Sequence, residues 1–134
     1  MKNVAAFLEK NRTGCMATVE GDHLPHARPW DFMCEDGGKL WFCTANNKKV
    51  YDQMMKNPNV EYSMTSPEYE TVRISGKVEF SKDPEMKKKV FGSSALVQRF
   101  YQTADNPIFE VFCIAHGSVI VSDFSGQPPR TLTF

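Results

Sequence analysis

Short runs of alternating apolar and polar residues, separated by tight-turn residues, recur along this chain and constrain its fold more than any other feature. Residues 15–20 and 24–34 flank a Gly21-Asp22 turn, and Asp36-Gly37-Gly38 leads into an apolar run that begins at Lys39. Glycine and aspartate at such points favour hairpin turns, so the spacing predicts a three-strand meander with Arg28 to Trp30 hairpin-paired to the strand after Lys39. Val60, Tyr62 and Met64, then Val72, Ile74, Val78 and Phe80, keep the two-residue period on either side of Ser66-Pro67-Glu68. Residues 109–114 and 118–121 read as two last strands separated by His116-Gly117. Helical signals are fewer. Val4, Phe7 and Leu8 share one face of a short helix ending near Gly14, and residues 95–101 suggest another. Asp83-Pro84-Glu85 combines an N-cap, a first-turn proline and an early acid ahead of residues 86–90. The Lys87-Lys88-Lys89 run at the end of that helix reads as a solvated face. Six or seven short strands with inserted helices predict a mainly β fold, an antiparallel barrel with helical decoration.

The chain has 134 residues, the length of one domain, here residues 1–134. Lys plus Arg and Asp plus Glu are 16 each, so the basic excess that nucleic-acid binding requires is missing and no nucleic-acid partner is expected. Glu9 and Lys10 follow the short apolar patch at the start, which reads as neither a secretory signal nor a membrane span. The expectation is a soluble cytoplasmic protein. Cys15, Cys34, Cys43 and Cys113 form no C-x-x-C pair and lie mostly in strand-like runs, which points to buried, reduced thiols rather than a disulfide or zinc site. His23, His26 and His116 likewise lack a metal-ligand spacing.

The stretch KLWFCTANNKKVYDQMMKNPNV, residues 39–60, carries the strongest functional signal. Leu40-Trp41-Phe42-Cys43 is apolar on both faces, as in a strand buried on both sides. Val50, Tyr51, Met54 and Met55 then recur at helical spacing, with Asn57-Pro58 as a stop and Asn46 or Asn47 as the expected N-cap. Free backbone N–H groups and the positive end of the helix dipole favour an anion at such a junction. Thr44, Lys48 and Lys49 stand beside it, although Thr44 also suits a plain strand end. Cations at a helix start are mildly unfavourable unless an anion is present, which favours a phosphate seat over a solvated turn. Arg28 and Trp30, placed opposite by the expected hairpin, add a cation and an aromatic ring.

The ordered set A-T-V-E-G-D-x-L-P-x-A-R-P at Ala17 to Pro29, G-K-L-W-F-C-T at Gly38 to Thr44, Lys48-Lys49, N-P-N-V at Asn57 to Val60 and V-R-I-S-G-K-V-E at Val72 to Glu79 resembles the pyridoxamine 5′-phosphate oxidase-like family of FMN-binding split barrels. The resemblance covers nearly the whole chain. It implies a split barrel of six or seven strands that binds FMN at a homodimer interface. Arg28, Pro29, Trp30 and Asp31 would line the flavin, with the arginine reaching its phosphoribityl part. Thr44, Lys48 and Lys49 would hold the phosphate, Asn47 would also belong to the cofactor site, and Thr71 would make a further flavin contact.

Departures from the oxidase pattern bear on the reaction. Met33 stands where the oxidase has a lysine, Gly92-Ser93-Ser94-Ala95-Leu96 where it has an arginine-rich segment, and the chain ends without its arginine–histidine motif. Those groups bind the oxidase's substrate, so the resemblance is stronger to the short general stress protein-like branch. The expectation is an FMN-dependent oxidoreductase with an unspecified small reductant and acceptor and no assigned catalytic acid or base. A non-catalytic flavin-binding module, or a split barrel using F420 or haem, are the alternatives.

Overall fold

The computed structural model describes residues 2–134. Helix α1 (Lys2–Lys10) is followed by strands β1 (Thr13–Glu20), β2 (Leu24–Asp31), β3 (Cys34–Asp36) and β4 (Lys39–Ala45), then helix α2 (Lys49–Lys56). Strands β5 (Asn59–Thr65) and β6 (Thr71–Ser81), helices α3 (Pro84–Gly92) and α4 (Ala95–Tyr101), and strands β7 (Phe109–Ser122) and β8 (Arg130–Thr133) complete the chain. The eight strands form one antiparallel sheet in the order β2-β1-β5-β6-β7-β4-β3, with β8 also paired to β7. The neighbours β2 and β3 in sequence thus lie at the two ends of the sheet, which curls around a shared core into a split barrel.

That core is built by the alternating positions the pattern marks. Leu8, Met16, Phe32, Leu40, Phe42, Tyr62, Ile74, Phe112, Ile114 and Val119 are wholly enclosed. Phe42 stacks on Phe112 with ring centroids 5.6 Å apart. Each such side chain contributes about 1.5–3 kcal/mol by leaving water. A second core packs α3 and α4 against the outer face of β4 and β7 through Met33, Trp41, Val90, Tyr101, Phe109 and Val111. Strand β4 is therefore buried on both faces, as its continuous apolar run requires.

Five expectations change. Residues 24–34 are not one strand: Phe32 N–H donates to Arg12 O and Met33 N–H to Trp41 O, while Arg12 Nη1 donates to both Phe32 O and Met33 O. This clamp carries the chain from one sheet end to the other, so β2 pairs only with β1 and the three-strand meander does not form. Residues 109–122 are one strand, because Gly76 and Gly117 face each other where β6 and β7 cross closely; a Cβ on Gly117 would lie 2.1 Å from Ser75 O. The N-cap of α2 is Lys48 rather than an asparagine, and Asn46 instead donates from Nδ2 to Pro107 O at 2.9 Å. Lys87 does not join a solvated face; it is mostly buried and donates to Phe109 O at 2.9 Å, while Lys89 pairs with Asp36. Cys15 is exposed, and all four thiols are free.

Candidate functional site

A cleft of about 420 Å³ opens where β2 and β4 approach across the split, bounded by the start of α2 and by α4. Its volume lies in the usual range for small-molecule sites. The tie across the split is a side chain: Trp30 Nε1 donates to Cys43 O at 3.0 Å, and the indole packs edge-on to Phe112. The juxtaposition expected from a hairpin is present, but this bond makes it.

Three groups give the cleft its anion-binding character. Arg28 reaches in from β2 with only neutral acceptors around it: Nη1 donates to Thr18 Oγ1 (2.8 Å), Met16 O (3.2 Å) and His26 O (3.3 Å), and Nη2 to Gln53 Oε1 (3.2 Å). Burial lowers its pKa, yet a guanidinium stays charged at neutral pH, and no carboxylate among the described residues forms an ion pair with it. Lys48 lines the cleft at the N-cap of α2, where no side chain caps the first N–H groups. Thr44 is 2% exposed, and its Oγ1 has no hydrogen-bond partner among the described residues. A buried hydroxyl left unpaired is uncommon and costs about 1–3 kcal/mol, so it marks a place where a ligand atom can pay back the desolvation.

Pro29 and Asp31 also line the cleft, and Asp31 Oδ1 accepts from Thr13 Oγ1 at 2.7 Å. Asn47 and Lys49 are exposed and lie outside its lining, and Thr71 sits at the start of β6, paired to Thr65 Oγ1 at 2.9 Å. Of the nine residues singled out in the sequence, the fold gathers Arg28, Pro29, Trp30, Asp31, Thr44 and Lys48.

The far wall is apolar: Met33, Leu96, Val97, Phe100 and Tyr101, with Cys43 and Val50. Helix α4 is held in place by Ser94, whose Oγ accepts from Val97 N–H. Leu96 and Phe100 are 63% and 67% exposed, an unusual pair to leave in water. Burial pushes the Cys43 thiol up to about 12 and the Tyr101 phenol up to about 12, so both are neutral donors and Cys43 is no nucleophile at neutral pH. The Tyr101 hydroxyl bonds to none of the described residues. Of this wall the sequence marks only Met33 and Leu96, as departures from the oxidase pattern; Val97, Phe100 and Tyr101 carry no local signal, and their place at the split brings them to the cleft. No histidine lines the cleft, no group of three or more potential metal ligands occurs among the described residues, and none of the described helices is long and apolar enough to cross a membrane.

Known proteins agree with this architecture. A family model described as pyridoxamine 5′-phosphate oxidase matches residues 1–121. A NimC/NimA family protein from Clostridium acetobutylicum is 30% identical, with a TM-score of 0.91 over 100% of this chain and 92% of that one. General Stress Protein 26 from Bacillus anthracis superposes with a TM-score of 0.80 at 20% identity, covering 99% and 98% of the two chains. A pyridoxamine 5′-phosphate oxidase-related, FMN binding protein from Nostoc punctiforme gives 0.74 at 20% identity, covering 98% and 88%. No curated protein sequence matches significantly. With the split barrel and its cleft in place, the chain belongs to the pyridoxamine 5′-phosphate oxidase family.

Proposed function

We propose that this chain is a cytoplasmic, homodimeric FMN-binding flavoprotein that passes reducing equivalents from a small reductant to a small acceptor. The observation that carries the reading is the convergence of the Arg28 guanidinium, the Lys48 ammonium and the orphaned Thr44 hydroxyl at an uncapped helix start. A phosphate monoester dianion satisfies all three. The FMN-binding relative from Nostoc punctiforme supports the choice among phosphorylated ligands.

When bound, the flavin supplies the redox chemistry. The chain's own residues bind and orient. Arg28 and Lys48 neutralise the phosphate, Thr44 donates to it, and Trp30 holds β2 against β4 so that these groups stay in register. The α4 wall makes the other half of the cleft apolar, and there the Tyr101 phenol keeps its proton and can donate a hydrogen bond. That wall offers Met33 and Leu96 and no cation, so a second phosphate finds no partner there and pyridoxamine 5′-phosphate is a poor substrate candidate. Without a histidine in the cleft, a haem has no imidazole ligand from this wall.

The test is FMN titration of separate Lys48→Ala and Lys49→Ala variants, read by quenching of flavin fluorescence. A charge-assisted contact contributes about 1.5–3 kcal/mol, so Lys48→Ala should bind about tenfold or more weakly while Lys49→Ala stays near the parent. Equal affinities for all three proteins would overturn the assigned seat.

A further inference from the structure

We infer that Gln53 and Thr18 act as a neutral latch that positions Arg28 and preserves its positive charge for the ligand; this rests on the phosphate-seat reading above. Gln53 lies on α2 and Thr18 on β1, and both are buried at 7% and 1% exposure. Thr18 Oγ1 donates to Gln53 Oε1 at 2.7 Å, and the guanidinium donates to both oxygens, from Nη1 to Thr18 Oγ1 at 2.8 Å and from Nη2 to Gln53 Oε1 at 3.2 Å. The amide is oriented from its other end too, since Nε2 donates to Glu20 Oε2 at 3.4 Å. Glu20 in turn pairs with His26 at 3.2 Å on the surface. Both of the polar side chains that touch the guanidinium are thus uncharged, and the nearest carboxylate of the network is held one amide away.

The choice of amide has a consequence. A carboxylate at position 53 would meet Arg28 in a buried ion pair, cancel its charge, and face Glu20 as a like charge. An amide supplies the same acceptor geometry and leaves the guanidinium net positive. Helix α2 therefore contributes twice, with its uncapped start at Lys48 and, further along, the side chain that aims the second cation. Gln53 is a positioning residue; it does not line the cleft itself.

The experiment titrates FMN and, separately, inorganic phosphate into the parent, Gln53→Glu and Gln53→Met, with thermal melts of each unliganded protein. Gln53→Glu should bind FMN at least about tenfold more weakly at pH 8, and its deficit relative to the parent should shrink as pH falls and the new carboxyl protonates. A purely structural role would not produce that pH profile. Gln53→Met, neutral and similar in volume, should lose several-fold in affinity with no such pH dependence, and it keeps the test decisive if the glutamate variant does not fold. Parent-like affinity in both folded variants would overturn the latch and leave the FMN reading intact. A parent that binds phosphate but not FMN, with phosphate lost in Gln53→Glu, would support the latch and overturn FMN. No binding of either probe by the parent would overturn both.

Discussion

Replacing Thr44 by valine should stabilise the free protein and weaken its ligand binding. Thr44 is 2% exposed at the end of β4, and its hydroxyl lacks a partner among the described residues. Valine keeps the β-branched shape that suits a strand and removes the unpaired polar atom. An unsatisfied buried hydroxyl costs about 1–3 kcal/mol, so the substitution should return about 1–2 kcal/mol to the unliganded protein. For a chain of this length each kcal/mol corresponds to a shift of about 3–5 °C in Tm. The same hydroxyl is assigned to the phosphate, where a hydrogen bond to a charged group contributes about 1.5–3 kcal/mol, and its loss weakens FMN by about 10–100-fold. Calorimetric melts of stripped protein and fluorescence titration of FMN read the two effects separately. A Thr44→Val protein that melts lower than the parent, or that binds FMN equally well, would refute the reasoning.

Three other outcomes follow from the packing of the barrel. Gly117→Ala should prevent the β6–β7 crossing, because its Cβ would sit 2.1 Å from the Ser75 carbonyl oxygen; the expected result is insoluble or molten protein, and a native near-UV circular dichroism spectrum would contradict it. Glu110, 2% exposed, accepts two hydrogen bonds from Lys82 and lies 4.0 Å from the Lys87 ammonium. Glu110→Ala should cost about 2–3 kcal/mol in urea unfolding, less than a fully enclosed pair because Lys82 can turn to water, and a loss below about 0.5 kcal/mol would count against it. Burial raises the Cys43 thiol from 9.0 to about 12, so between these values the unfolded chain has released a proton that the folded one retains. Stability is then complete below about pH 9 and falls by about 1.4 kcal/mol per pH unit above it, and urea midpoints equal at pH 8 and 10.5 under reducing conditions would refute this.

What could be read in the sequence was whatever local periodicity and turn chemistry decide. Strands β1, β5 and β6 follow their alternation, Asp83 caps α3 through a bond from Glu85 N–H, and β4 is buried on both faces as its run implies. The errors lie where distant side chains decide. The break between β2 and β3 is made by Arg12, and the closure of the split by Trp30, and neither contact has a sequence period. Strand β8 is four residues long, exposed throughout and has Leu132 as its one apolar residue, so it offers no alternation, and only its register against β7 defines it. In the site, one residue of helix boundary decides which lysine lines the cleft. With Lys48 rather than an asparagine at the N-cap, in extended backbone, Lys48 lines the cleft, while Lys49, the first helical residue, lies outside its lining. Arg28 was legible as a cation, but its hydrogen bond to Gln53 was not, because an isolated glutamine on an amphipathic helix looks like surface.

The most direct measurement of the central claim is the absorption spectrum of the purified protein, followed by FMN titration of the stripped form with its molar mass read by light scattering. The account expects a flavin spectrum and about one FMN per chain, bound tightly, in a dimer. A stripped protein that binds no FMN at micromolar concentration would contradict it.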